Sequence, residues 1–298
     1  MKHWKPAAIA ALWSGALYAA PMPVVASFSI LGDVAQQIGG ERVAVQSLVG
    51  ANQDAHAYNL TSSDIKKIRE ARLVLLNGLG LEKAELQRAV KQSKVASAEA
   101  TAGIKPLAAD EYHHEHGHGH DHDHGEFDPH VWNDPVLMQR YAANVAIALI
   151  KADPAGSRYY QQRFKDYQNV LNQLNNYANQ QFGAVAPAKR KVLTGHDSFA
   201  YLGKRYQVKF ISPQGVSSEA EPSARQIAAI IRQIKAENVK AVFTENIKDG
   251  RMIERIAKET GVKVSGRLYA DALSSGAPAG TYADMFRYNV RVMSEAMK

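Results

Sequence analysis

Residues 153–183 read DPAGSRYYQQRFKDYQNVLNQLNNYANQQFG. Tyr160, Phe164, Tyr167, Leu171, Leu174, Ala178 and Phe182 recur every three or four residues, the period that lines one face of an α-helix. Asp153-Pro154 supplies a start and Gly183 a stop, so the spacing predicts one helix from Pro154 to Phe182, ~29 residues and roughly 43 Å long at 1.5 Å per residue. A helix of that length is a stiff strut, and the sequence on its two sides follows one pattern. Before it, apolar runs at Val24–Ile30, Val43–Val49 and Leu73–Leu76 read as strands, with helices near Asp33–Gly39 and Ser62–Ala71. After it, Val192–Thr194, Val208–Ile211, Ala241–Thr244 and Val262–Val264 read as strands. Helices are expected there at Ser223–Glu237 and Gly250–Thr260, and Tyr282–Met297 closes the chain. Short apolar strands alternating with helices build parallel sheets. The expected fold is α/β, two similar lobes joined by one long rigid helix. Its expected boundaries are a leader over 1–20, an N-terminal lobe over 21–153, the connecting helix over 154–183 and a C-terminal lobe over 184–298.

Composition agrees with a folded two-lobe protein: 298 residues, 46% hydrophobic and 22% charged, too long for one small core. The chain has no cysteine, which excludes disulfides, Cys-type zinc sites, iron–sulfur clusters and thiol nucleophiles. Of the formal charge of +7, Lys2 and Lys5 fall in the leader, and the remaining +5 is spread along the chain without a basic run. A mildly basic, solvated surface follows, and no nucleic-acid or DNA partner is expected. The leader has a basic start, then an Ala-rich apolar stretch from Ala7 to Ala20 containing Ile9, Leu12, Trp13 and Leu17. That is the plan of a secretory signal peptide, too short for a membrane span of ~20 residues. An exported soluble protein without cysteines suits a bacterial periplasm.

The eleven histidines divide unevenly. His3 lies in the leader, and His113, His114, His116, His118, His120, His122 and His124 crowd into the acidic stretch from Asp110 to Asp128. That stretch breaks the apolar pattern, cannot supply a core, and is expected to be a mobile loop. The three others sit beside turn formers, as Asp54-Ala55-His56-Ala57-Tyr58, Asp128-Pro129-His130-Val131-Trp132 and Thr194-Gly195-His196-Asp197-Ser198. His56 and His196 each follow a predicted strand, and loops at the carboxyl ends of parallel strands are where α/β proteins place ligands. Three imidazoles converging in a cleft match zinc or another divalent metal, with a carboxylate as fourth donor.

These residues resemble a known family. Asp128-Pro129-His130-Val131-Trp132, the acidic His-rich stretch just before it and Asn77-Gly78-Leu79-Gly80-Leu81-Glu82 are similar to the cluster A-I (cluster 9) solute-binding proteins of metal-ion ABC transporters, zinc-binding members in particular. The likeness extends over Val24–Gly40, Gly50–Ala71, Gly195–Tyr201, Gly261–Tyr269 and Asp271–Tyr282. It implies two Rossmann-like lobes with the metal buried between them, held by His56, His130, His196 and Asp271. It also implies a monomer in the periplasm that captures Zn2+ and delivers it to a membrane permease, performing no catalysis. His at the third position, where manganese members usually carry Glu, tilts the expectation to zinc. Ala55 replaces the family's usual Pro, and Asn59-Leu60 follows Tyr58 where another Pro is common. The seven loop histidines are expected to be weak accessory ligands.

A manganese-binding transporter component is the nearest alternative. A secreted zinc hydrolase is the alternative from another class, and it would need an open metal position and a general base, for which Glu82 or Glu245 is the candidate. Four protein donors leave little room for the water such an enzyme uses.

Overall fold

The structure, a computed structural model, describes residues 20–109 and 127–298. Residues 1–19 of the expected leader and the tract over 110–126, with its seven histidines, lie outside the described residues.

The first lobe runs β1 (Met22–Phe28), α1 (Ser29–Gly39), β2 (Val43–Val49), α2 (Ser62–Glu70), β3 (Leu73–Leu76), α3 (Ala84–Ser93) and β4 (Ala96–Glu99), followed by α4 (Leu137–Ala152). The spine α5 (Ser157–Gly183) comes next. The second lobe then runs β5 (Lys191–Leu193), α6 (Ala200–Tyr206), β6 (Lys209–Ile211), α7 (Ala224–Glu237), β7 (Ala241–Glu245), α8 (Arg251–Thr260), β8 (Gly266–Leu268) and α9 (Tyr282–Met297). Each lobe has a four-stranded parallel sheet, ordered β2-β1-β3-β4 in the first and β6-β5-β7-β8 in the second. The two orders are the same, so the second lobe repeats the topology of the first. In both, the strand order reverses beside the first strand, and the loops leaving the carboxyl ends there open a crevice.

The spine matches its sequence pattern closely. Tyr160, Tyr167, Leu171, Leu174, Ala178 and Phe182 are buried along one face, with Phe164 half-buried beside them. Pro154–Gly156 forms a 3-10 turn rather than the first α-turn, leaving 27 residues of α-helix and a length of roughly 40 Å. Asp153 fixes this start: its carboxylate accepts from Arg42 Nη2 and Tyr160 OH, both at 2.7 Å. The helix is no free-standing strut. It packs on α1 and α4 of the first lobe and on α6 and α9 of the second, within one apolar core that runs from Val24 to Met297.

Two expected strands shift. Ser29-Ile30 opens α1 instead of ending β1, because Ile30, Leu31, Val34, Ala35 and Ile38 bury a helical face; a short apolar run is compatible with either state. Val262–Val264 is irregular, and pairing with β7 begins at Gly266 opposite Phe243. No helix among the described residues is long and apolar enough to cross a membrane.

Candidate metal centre

His56, His130, His196 and Asp271 come from four loops and meet between the lobes, their nearest donor atoms all within 4.8 Å of one another. His56 lies in the long connection after β2, and His130 opens a 3-10 turn before α4. His196 and Asp271 each stand three residues beyond a strand end, after β5 and β8. His130, His196 and Asp271 are fully buried and His56 is 7% exposed. His56 Nε2 lies 3.2 Å from His130 Nε2 and 3.5 Å from Asp271 Oδ2. His130 Nε2 is 3.5 Å from Asp271 Oδ1, and His196 Nε2 is 3.0 Å from Oδ2. Donors 2.0–2.1 Å from a tetrahedral ion stand about 3.3 Å apart, the scale of these separations. Neither Asp271 oxygen, nor His196 Nε2, has a hydrogen bond of acceptable geometry among the described residues. These atoms have one another as charged neighbours but no well-formed hydrogen bond, a state that a cation placed among them would relieve.

Two of the imidazoles are oriented from behind. Asp128 Oδ1 lies 2.7 Å from His130 Nδ1 and also accepts the His130 backbone N–H at 2.8 Å. Glu245, the last residue of β7, places Oε2 2.6 Å from His196 Nδ1, while its Oε1 accepts from Gly195 N and His196 N. Gly195 permits this approach, since a Cβ there would meet Glu245 Oε2 at 3.0 Å. With Nδ1 committed to a carboxylate, Nε2 is the nitrogen left to face the centre. Glu245 is thus no free base, and neither is Glu82, whose two oxygens accept from Asn77 N and Gly78 N. Asp128 stands in the Asp-Pro-His motif and could have been read as the partner of His130. Glu245 is 49 residues from His196 and carried no such signal.

Carboxylates set the charge inside the centre. Burial works against charge on His130, but the Asp271 and Asp128 carboxylates outweigh it and raise the imidazole to about 9. Burial likewise opposes charge on His196, yet Glu245 and Asp271 raise it well above the usual histidine value. Burial would push Asp271 up, but His196 and His130 hold it well below the ordinary carboxylate range. Three carboxylates therefore face two imidazolium protons, and exchanging both protons for a divalent cation leaves the local charge unchanged.

Trp132 braces the centre across the lobes. It is fully buried, its ring centroid 5.1 Å from that of His130, and its Nε1 donates to Ala270 O at 2.8 Å, next to Asp271. Tyr282 OH in turn donates to Trp132 O at 2.8 Å.

The chain is similar to proteins that handle metals. It is 32% identical over 287 residues to the manganese-binding lipoprotein MntA of Bacillus subtilis, covering 93% of this chain and 90% of that one. Its fold superposes on the periplasmic zinc-binding protein TroA of Treponema pallidum with a TM-score of 0.85 at 26% identity, covering 93% of this chain and 99% of the other. A manganese-bound periplasmic metal-binding protein of Candidatus Liberibacter asiaticus gives a TM-score of 0.78 at 28% identity, covering 93% and 100%. The model of the family described as ZnuA, zinc-uptake complex component A, periplasmic, matches residues 24–296. The chain belongs to this family of metal-binding solute-binding proteins of ABC transporters.

Proposed function

We propose that this protein captures Zn2+ in the periplasm through His56, His130, His196 and Asp271 and hands it, as a monomer, to the permease of an ABC importer. The observation that carries this reading is the donor set: three imidazole nitrogens and one carboxylate converge at tetrahedral spacing, with carboxylates behind two of the rings. A nitrogen-rich set suits zinc, whereas manganese favours oxygen donors. Three neutral imidazoles and one carboxylate leave +1 on a zinc centre, which Asp128 and Glu245 offset. Four protein donors fill a tetrahedral ion, so no position stays open for the water a hydrolase activates.

The seven histidines from His113 to His124 act, in this reading, as weak exchangeable ligands that raise zinc concentration near the cleft. The Bacillus relative is named a lipoprotein, but these 298 residues contain no cysteine thiol to carry a thioether-linked lipid.

Manganese is the second reading, favoured by the names of the Bacillus and Liberibacter relatives. Metal analysis of untagged protein, followed by competition between Zn2+ and Mn2+ for one tight site, separates the two. Zinc retained against a large excess of manganese is expected. Preferential retention of manganese would overturn the zinc assignment.

A further inference from the structure

The ligand loops of the two lobes are tied together by polar contacts that bypass the four donors. The chain of contacts starts at His196, whose backbone pairs with Gln214 in a parallel bridge, while Asp197 N donates to Gly215 O at 3.1 Å. The Gln214 amide donates to the carbonyls of Ser218 and Ala220 at 3.2 and 2.7 Å, curling the connection between β6 and α7. Ser218 is fully buried, and its hydroxyl donates to Asp54 Oδ2 of the other lobe at 2.5 Å. The second oxygen of Asp54 accepts from the backbone N–H of His56 at 2.9 Å and of Ala57 at 3.3 Å. One carboxylate thus grips the His56 loop with one oxygen and the second lobe with the other.

His56 is the donor for which such a grip matters most. The connection from Gly50 to Thr61 has no regular structure. It is held on the Gly50 side by Gln53 Oε1 on Gly50 N and by Asn52 N donating to Leu273 O, both at 2.8 Å, with Asn246 Nδ2 donating to Asn52 Oδ1 at 3.0 Å. On the Thr61 side it is held by the Thr61–Asp64 capping box and by Tyr58 OH donating to Asp64, leaving Asp54 as the side chain that bonds the His56 backbone itself. Among the described residues no carboxylate is hydrogen-bonded to the His56 ring, unlike the rings of His130 and His196. The position of this ring therefore depends on its backbone, which Asp54 holds. His56 is also the one of the four donors that keeps any solvent exposure.

We infer that Ser218 is a positioning residue for metal capture: acting from the second lobe through Asp54, it fixes the loop that carries His56 and thereby sets the rate at which the ion leaves. The inference rests on the zinc reading of the centre. Release then begins when the Ser218–Asp54 bond opens and His56 swings out, with His130, His196 and Asp271 still in place.

The experiment measures dissociation of Zn2+ from the full mature protein into excess chromophoric chelator. Ser218→Ala, a small truncation, is expected to speed release by about 10- to 100-fold, the range for one hydrogen bond to a charged group. The association rate should change by less than about threefold, since variants of one site differ chiefly in their off-rates, and the metal-free protein should stay folded, its melting temperature lower by no more than about 10 °C. Asp54→Asn should speed release too, and the double variant should release no faster than the faster single one. Glu219→Gln removes the charge of a neighbouring, partly exposed cross-lobe ion pair with Lys83, 2.8 Å long, and leaves in place both Asp54 and the 3.5 Å contact from Lys83 to Asn59 of the His56 loop. Such pairs contribute little, and its effect should stay under about threefold. An unchanged off-rate in Ser218→Ala, additive effects in the double variant, or an equal rise in Glu219→Gln would each overturn the inference. A wild-type protein that holds no zinc would instead overturn the assignment of the site, a result visible before any variant is made.

Discussion

Acidification should weaken zinc binding by about a hundredfold per pH unit through neutrality, because the metal must displace two protons that the buried carboxylates retain. His130 is raised to about 9 and His196 is raised well above the ordinary value, in each case because adjacent carboxylates outweigh burial. At pH 7 the His130 proton alone lies two units below its release, a competition of about 2.7 kcal/mol or about a hundredfold in apparent affinity. With both rings protonated, each zinc bound releases two protons from these residues, hence a slope of about two decades per unit. The metal-free protein responds in the opposite sense. Groups raised above the unfolded value of about 6.5 contribute stability that is fully present below that pH. For His130 it is lost as pH rises through about 9. The metal-free melting temperature should therefore fall between pH 7 and 9 while zinc affinity climbs. Chelator competition from pH 6 to 9, with calorimetry in buffers of different ionisation enthalpy to count protons, measures both quantities. A plateau in affinity above pH 6.5, or fewer than one proton released at pH 7, would refute the reasoning.

Glu245→Gln keeps the shape but removes the charge behind His196, and zinc affinity measured by competition should fall by about 10- to 100-fold. In protein lacking residues 1–19, Trp132 is the sole tryptophan. Its emission should change saturably with one zinc per chain, and full amplitude in His130→Ala would assign the signal elsewhere. Leu174→Ala empties a fully buried position on α5 and should cost about 2–5 kcal/mol in denaturant unfolding.

The spine and the four residues that cluster between the lobes were legible in the sequence for different reasons. Helical periodicity survives in α5 because one face is buried along nearly its whole length, so Tyr160 to Phe182 carry the pattern unbroken. The three clustered histidines stood out as isolated beside turn formers, whereas Asp271 was picked by resemblance alone and looks like an ordinary turn residue. Strand β4, Ala96–Glu99, escaped notice because an edge strand with mostly exposed side chains has no apolar signature. The helices α3, α4 and α6 were passed over between more conspicuous runs. Glu245 entered the sequence reading only as a candidate base for the hydrolase alternative, because only the tertiary fold brings the end of β7 against Gly195 and His196. The Ser218–Asp54 contact joins residues 164 apart, and nothing local announces it.

A helix seated against both lobes also bears on how the chain acquires its structure. The apolar face of α5 is shared, so neither lobe can finish its interior before the helix docks, and a fragment cut at the helix would leave Tyr167, Leu171 and Leu174 facing water. Proteins built of separable modules melt in steps, whereas a common interior couples its parts into one cooperative transition. This chain, for all its internal symmetry, should unfold in a single sigmoid, and neither half should persist as an autonomous folding unit.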